Sequence, residues 1–561
     1  MSQLIEAVPN FSEGRDPEVI RRIVERIAAV EGVTVLNVDP GKATNRTVVT
    51  FVGEPEAVAE GAFQGIRAAA ELIDMRRHSG EHPRMGATDV CPLIPISGIS
   101  MEECAEVARR LGERVGRELA IPVYLYEAAQ PNPVRRNLAD IRAGEYEGFA
   151  RKIQDPAWKP DFGPDELPAR HGATVIGARD FLVAFNVNLN TTSTRRANAI
   201  AFDVREAGRP RRSGHPLTGP IERDASGQPL TIPGSLKAVK AIGWFIEEYG
   251  IAQVSMNLVD LSTTPIHVAF DEVAARALAR GVRVTGSELV GLVPLAAMLE
   301  AGRHYLRRQQ RSVGVSDDEL IHIAVRSMGL NELGPFDPRE RIIEYKLGLG
   351  QPGPLVGLTV QRFVDVTASE SVAPGGGSVA ALVGALGAAL GTMVANLSAH
   401  KRGWDERWEE FSAAAEQGRL ATTRLLELVD EDTRAFNAVM AAMGLPKATE
   451  SEKAARTSAL QAANLEAARV PLRVAEAACS TMPFLRTMAE TGNPASASDA
   501  AVGGLCARTA VLGACLNVRT NLPGIASDED RAALESAATL LEAQATAMEA
   551  EILAIAKRKI G

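Results

Sequence analysis

Residues 76–96 read RRHSGEHPRMGATDVCPLIPI and gather side chains suited to moving protons or holding a cation. His78, Glu81 and His82 fall in the order H-x-x-E-H, which binds zinc when a helix presents both histidines on one face. That helical context is missing. Gly80 weakens a helix, and Pro83 pushes the residue before it, His82, out of the α region. His171, His215 and His267 are isolated, so no Cys/His cluster supplies a third ligand. The segment is read as metal-free. Two readings of His82 remain. One is a proton-transfer histidine in the loop from Gly80 to Gly86, where Glu81, Arg84 and Asp89 would tune its imidazole near neutrality. The other is a structural histidine closing a loop ahead of the apolar run VCPLIPI. The residues alone leave both open.

The C-terminal half holds a second concentration of chemistry. APGGGS (residues 373–378) precedes a long apolar run but lacks the G-K-[ST] ending of a phosphate loop. Gly375, Gly376, Gly377 and Ser378 would leave free N–H groups at a helix N-terminus, a general anion site, or would simply allow close packing. Asp430, Glu431 and Asp432 follow one another in a helical run, where acids normally form a solvated face. GNPASASD (residues 492–499) offers Asn493 and Asp499 as polar contacts and equally resembles a capped helix start.

The elements that must carry these residues differ between the two halves. GVTVLNVD and TVVTFVG (residues 32–39 and 47–53) predict strands, and Glu54-Pro55 opens a helix. Residues 173–189 predict a strand pair, followed by the helical RRANAIAFDVREAG; IAQVSMNLVDL and HVAFDEVAARALARG repeat the plan. Strand and helix units in this order predict α+β layers, with each sheet covered on one face. Residues 209–235, dense in Pro, Gly and charge, read as an exposed insertion, and KLGLGQPGPLVG as a linker. Beyond it alanine dominates and apolar residues recur at helical spacing. The expected architecture is a two-subdomain, sandwich-like α+β part (1–182 and 183–345), a linker (346–357) and an all-α bundle (358–561).

Length and composition agree. The 561 residues suffice for several domains, and 46% hydrophobic with 23% charged residues is globular. A net charge of -9 and 4% aromatics argue against nucleic acid as a partner. The five cysteines form no C-x-x-C pair and predict reduced thiols in a cytoplasmic setting. The start, MSQLIEAVPNFSEGRD, predicts no secretory signal. Residues 379–397 lack charge over a length that could span a membrane, yet their Ala and Gly predict a buried bundle helix and no membrane span.

Several motifs in order carry a family resemblance: VPNFSEG, DPGKATNRTVVTFVG, RHSGEHPRMGATDVCPLIP, PVYLYEAA, DFGP, GATVIGARDFLVAFNVNL and GSELVGLVP. These resemble glutamate formimidoyltransferase. APGGGSVAA, VDEDTRAF and GNPASASD resemble formimidoyltetrahydrofolate cyclodeaminase. Together they are similar to the bifunctional formimidoyltransferase-cyclodeaminase family over nearly the whole chain.

The resemblance implies transfer of a formimidoyl group between N-formimidoyl-L-glutamate and N5 of tetrahydrofolate, the latter a co-substrate in polyglutamylated form. Closure to 5,10-methenyltetrahydrofolate with release of ammonia follows. It places the transferase acid/base at His82 and the cyclodeaminase acid at Asp432. It places folate contacts at Gly163, Pro164, Asp165, Glu166, Leu167, Pro168, Ala169, Arg170, His171 and Gly172, where the ends match the family pattern and the middle departs from it. Asp39 is then a candidate to orient the imidazole, or else a turn-capping Asp before Pro40-Gly41. Arg84 would pair with a substrate carboxylate, or be a solvated loop arginine. The Gly375–Ser378 turn would suit the anionic tail of a folate, and Asn493 and Asp499 would face Asp432. A ring-like homo-oligomer is also implied. The competing readings are a folate-binding protein without turnover, and a working transferase whose helical part serves assembly.

Overall fold

The computed structural model describes residues 3–41, 45–80, 83–214 and 219–561. The chain divides into two compact units, one of residues 1–297 with 329–347 and one of 298–328 with 348–561.

The first unit begins with a seven-stranded sheet. Its strands are β1 (Leu4–Ala7), β2 (Asn10–Phe11), β3 (Val33–Gly41), β4 (Arg46–Gly53), β5 (Thr88–Ser97), β6 (Val123–Glu127) and β7 (Thr174–Ala178). β1 and β2 lie in succession between β4 and β5; β3 edges β4, and β7 and β6 extend the other side in parallel with β5. Helices α1 (Pro17–Ala28), α2 (Pro55–Leu72) and α3 (Met101–Leu119) cover one face. Their apolar stripes, among them Ile23, Ile27, Phe63, Ile66, Leu111 and Val115, meet Phe11, Val49, Phe51, Cys91, Leu93 and Ile176 of the strands. Alternation along a strand turns the intervening residues to the other face.

One rung of that other face reads Asp39, Val48, Asn10, Val90, Val175, Tyr124 across six strands. Its Val90–Tyr124 end is buried under Ile141 of α4 (Leu138–Arg142) and Phe149 of α5 (Glu145–Lys152). Asp39 at the far end is exposed.

A second sheet follows, ordered β11-β12-β8-β13 and antiparallel throughout. Its strands are β8 (Val183–Leu189), β11 (Val239–Ile246), β12 (Ile251–Leu258) and β13 (Val284–Val290), with α6 (Thr194–Val204) and α7 (Ile266–Leu278) on one face. The two-residue strands β9 (Arg209–Pro210) and β10 (Thr231–Ile232) pair within the insertion, so its described residues form a small ribbon.

The strand pair expected over residues 173–189 is corrected. Both strands form, but β7 joins the first sheet and β8 the second. Arg179–Leu182 between them holds no Gly or Asn for the positive-φ turn of a tight hairpin.

The second unit is almost entirely helical. Met298–Met328, inside the stretch read from sequence as α+β, groups with it. Those residues carry most of α8 (Leu295–Arg308) and all of α9 (Asp317–Met328). The short α10 (Pro338–Arg341) and α11 (Ile343–Lys346) return to the first unit. The bundle proper is α12 (Val360–Thr367), α13 (Gly376–Ala399), α14 (Trp408–Met443), α15 (Glu450–Thr491), α16 (Ala497–Asn521) and α17 (Asp528–Ile560).

α13 is the central helix. Gly384 faces Leu425, Ala478 and Ala510, Gly387 faces the Gly503 carbonyl, and Gly391 faces Phe484 and Leu485. Small residues thus let three helices approach one backbone. By length and composition alone, residues 376–399 and 494–524 are apolar enough to cross a membrane, but 61% and 50% of their most apolar windows are buried in the unit.

Candidate functional site

His82 and Glu81 lie outside the described residues, but both flanks of the histidine segment are fixed. Upstream, the ring of His78 uses both nitrogens: Nε2 donates to the Asn45 carbonyl at 2.9 Å, and Nδ1 accepts from Arg84 Nε at 3.2 Å. A neutral ring suits that pattern, and burial holds the His78 pKa below the usual histidine value. With both nitrogens engaged, His78 has none left for a metal. Asn45, at φ 49, also donates to the Ser79 carbonyl at 2.9 Å and accepts from Gly14 N–H at 3.0 Å. It ties the β3–β4 turn to the histidine segment, a role the sequence reading missed. The asparagine of GKATNR, a residue type that tolerates a left-handed backbone, was the available signal.

Downstream, Arg84 and Met85 are held by α4 and α5. Arg84 donates to Glu147 at 2.6 and 2.9 Å and to Glu145 at 3.0 Å, while its carbonyl accepts from Tyr146 N–H at 2.8 Å. This corrects the solvated-loop alternative for Arg84, and in this structure its fork is directed to the protein's own carboxylates. It is 7% exposed, and protein carboxylates occupy its fork because α5 brings two glutamates against it. Asp89, fully buried, accepts from Met85 N–H at 3.0 Å and from Arg142 at 2.6 Å. A cavity of about 500 Å³ opens beside this strut, lined by His78, Ser79, Gly80, Arg84, Gly144, Glu145 and Glu147.

The stretch from Gly163 to Gly172 divides in two. Its C-terminal end abuts the histidine segment: Ala87 N–H donates to the His171 carbonyl at 2.8 Å, Ala173 N–H to the Met85 carbonyl at 3.2 Å, and Met75 N–H to the Arg170 carbonyl at 2.8 Å. Tyr146 bonds the Ala169 carbonyl. Gly86 and Gly172 bridge so closely that a Cβ on Gly86 would stand 2.2 Å from the Ala173 carbonyl. His171 is half-buried with its Nε2 unpartnered, and burial lowers its pKa.

The start of the stretch lies elsewhere. Gly163, at φ +84, packs on Gly116 and the Ile121 carbonyl at the end of α3, and Asp165 pairs with Lys159 at 3.4 Å. Pro164, Glu166 and Leu167 bridge the two ends, and Pro168 closes the turn by accepting from Gly172 N–H at 2.8 Å. Asp39 sits within the β3 ladder opposite Val48, and the strand runs on to Gly41. The turn-capping alternative for it is therefore corrected: Pro40 and Gly41 are still paired. Arg46 lies close enough for Asp89 and Asp39 to favour its charge, against burial, which lowers its pKa.

In the helical unit the three consecutive acids part company. Asp430 is buried and accepts from the Leu355 and Val356 N–H groups at 2.8 and 3.3 Å. Glu431 pairs with Arg473 at 2.6 Å and Arg424 at 3.2 Å. Asp432 turns to the start of α13, where Ser378 Oγ donates to its Oδ2 at 3.0 Å. A Cβ on Gly377 would stand 2.2 Å from Asp432 Oδ1. The glycine-rich turn thus lies against a carboxyl group that is a side chain of the protein. Burial raises the Asp432 pKa above the usual carboxylate value, against the hydrogen bonds from Ser378.

Asn493 and Asp499 do not face this acid, which corrects the expectation. The Asn493 N–H donates to Ser398 Oγ at 2.8 Å, near the far end of α13 and about 33 Å from Gly376 at 1.5 Å per residue. Its side chain caps a turn at Ala495, and Asp499 lies in the first turn of α16, so the capped-helix reading describes them. The reason is direction. α16 runs antiparallel to α13, with Gly387 against Gly503 and Gly384 against Ala510, so α16 starts where α13 ends. The α16 residue that reaches the acid's end is Asn517, whose amide lies 3.1 Å from where a Cβ on Gly376 would be. An asparagine inside the apolar run AVLGACLNV was its signal in the sequence. Among the described residues no group of three or more His, Cys, Asp or Glu is arranged to hold a metal.

Comparison with known proteins covers both units. The model of the formiminotransferase domain, N-terminal subdomain, matches residues 4–179; that of the formiminotransferase domain matches 184–348; and that of formiminotransferase-cyclodeaminase matches 359–539. The chain is 44% identical to the formimidoyltransferase-cyclodeaminase of Rattus norvegicus over 529 residues, 94% of each chain. It is 44% identical to that of Gallus gallus over 560 residues, 100% of each. Its N-terminal 55% is 40% identical to the glutamate formimidoyltransferase of Streptococcus pyogenes, covering 94% of that protein. On these matches the chain belongs to the formimidoyltransferase-cyclodeaminase family.

Proposed function

We propose that the chain is a bifunctional enzyme of histidine-derived one-carbon metabolism, a glutamate formimidoyltransferase joined to a formimidoyltetrahydrofolate cyclodeaminase. The observation that carries this reading is relatedness over both units to proteins named for both activities. In the first step N5 of tetrahydrofolate attacks the formimidoyl carbon of N-formimidoyl-L-glutamate and glutamate leaves. The attacking amine must lose a proton and the departing amine must gain one, which one imidazole near neutral pKa does in turn. His82 takes that role, on a segment pinned at Asn45 upstream and at Arg84 and Asp89 downstream.

In the second step N10 attacks the amidine carbon, ammonia departs, and 5,10-methenyltetrahydrofolate forms. Asp432 supplies the proton to the departing nitrogen, which suits a carboxyl whose pKa burial raises. Tetrahydrofolate enters as a co-substrate in polyglutamylated form, with its transferase site along residues 163–172. The protein works as a ring-like homo-oligomer in the cytoplasm. Exposed Leu386, Met393 and Leu397 on α13 and Val502, Leu505 and Leu516 on α16 support self-association. Five free cysteines fit a reducing compartment.

The test mixes purified protein with N-formimidoyl-L-glutamate and tetrahydrofolate, following methenyltetrahydrofolate absorbance and ammonia together. Wild type makes both products, His82→Ala loses the transfer, and Asp432→Asn accumulates the formimidoyl adduct. Folate binding without either product would defeat the reading.

A further inference from the structure

α13 opens at Gly376 with Gly375 as its N-cap and no side chain of its own over the first turn. Asp432, from α14, fills that place. Ser378 is completely buried, so its hydroxyl faces no solvent, and its Oγ lies 3.0 Å from Asp432 Oδ2 and 3.2 Å from Thr433 Oγ1. The backbone N–H of Ser378 also favours the carboxylate form of Asp432, as does the hydroxyl, against burial. The other oxygen, Oδ1, occupies the space that a side chain on Gly377 would need, 2.2 Å from the ideal Cβ position. One helical turn therefore constrains both oxygens, one by a hydrogen bond and the other by a space only glycine leaves.

We propose that Gly377 and Ser378 are positioning residues for the cyclodeaminase step, acting through the Asp432 carboxyl rather than touching the folate. The inference rests on the reading of Asp432 as the acid of that step. As the C–N bond to ammonia breaks, the proton passes from the carboxyl to the departing nitrogen and a carboxylate remains. The Ser378 hydroxyl and the N–H groups at the start of α13 stabilise that carboxylate and keep it in one orientation. Burial opposes them by favouring the protonated acid. The pair thus sets both where the acid points and how readily it gives up its proton.

The experiment uses the full-length protein with 5-formimidoyltetrahydrofolate, measuring kcat and KM across pH for Ser378→Ala, Ser378→Thr, Gly377→Ala and Asp432→Asn. The thermal transition of the helical unit on the same samples reports its folded fraction, and the transferase rate serves as the control for the other unit. Ser378→Ala is expected to lower kcat about tenfold with KM little changed, as loss of one hydrogen bond to a charged group would. It also shifts the pH limb that Asp432→Asn removes to higher pH, because a donor to the carboxylate is gone. Ser378→Thr keeps the hydroxyl and restores the limb. Gly377→Ala forces the Asp432 carboxyl out of its place, so kcat falls with KM little changed, and the gain in helix propensity offsets part of the steric cost.

Wild-type kcat and an unmoved limb in Ser378→Ala would overturn the proposal, as would a raised KM at constant kcat, which would mean direct folate contact. Retention of cyclodeaminase activity by Asp432→Asn is a different result, and it removes the reading of Asp432 itself.

Discussion

Arg84→Met tests whether the histidine segment is held by the protein or reads the substrate. Arg84 is 7% exposed and makes a two-pronged contact with Glu147, one bond to Glu145 and one to His78 Nδ1. A buried bond to a charged group contributes about 1.5–3 kcal/mol. Here the glutamate side chains are 45% and 64% exposed, so screening reduces each to about 1 kcal/mol or less. The expected loss is therefore roughly 2 kcal/mol, a fall of about 3 °C in the melting temperature of the first unit, given its size. Because the strut sits two residues after His82, kcat for transfer falls while KM for N-formimidoyl-L-glutamate changes little. Arg84→Lys does not rescue, since an ammonium cannot span the fork that two glutamates fill. Scanning calorimetry and steady-state transferase kinetics report the two halves, with cyclodeaminase activity on supplied 5-formimidoyltetrahydrofolate as the internal control. An unchanged melting temperature with a tenfold or greater rise in KM would refute the reasoning and return Arg84 to the substrate.

Glu6 and Asp430 give two further tests. Glu6 is 3% exposed, and burial pushes its carboxyl from 4.5 up to about 8 despite the Arg179 charge. A folded-state pKa above the unfolded value means stability present below about 4.5 and lost as pH rises through about 8, on the order of 5 kcal/mol in all. Denaturant midpoints of Glu6→Gln should lose that decline, and parallel curves for the variant and wild type would contradict it. Asp430→Ala should strand the Leu355 and Val356 N–H groups, costing about 1–3 kcal/mol, and increase cleavage within residues 348–357 in limited proteolysis. Cyclodeaminase activity should survive, because two residues along a helix is about 200° around it and Asp432 faces elsewhere; its loss would show that the two acids act together.

The sequence determined much of this protein because much of it is local. Alternation in TVVTFVG and the period of GRLATTRLLELVDEDTRAF declared a strand in one half and a helix in the other. Gly80 and Pro83 ruled out helical presentation of His78 and His82, and Ser79, Gly80, Pro83 and Arg84 are indeed non-helical. Runs such as DPGKATNRTVVTFVG carried the family. Each of these signals lies within a few residues, where turn chemistry and periodicity act.

Tertiary structure decided what depends on partners far along the chain. Glutamates 61 and 63 residues away claimed Arg84, and Ser378 met Asp432 across 54 residues. β7 and β8, neighbours in sequence, went to different sheets. The antiparallel course of α16 brought Asn517 to the start of α13 and carried Asn493 to its far end. Periodicity fixes which face a side chain shares, but the direction and register in which two elements pack fix what it meets, and those are settled only when the whole core closes.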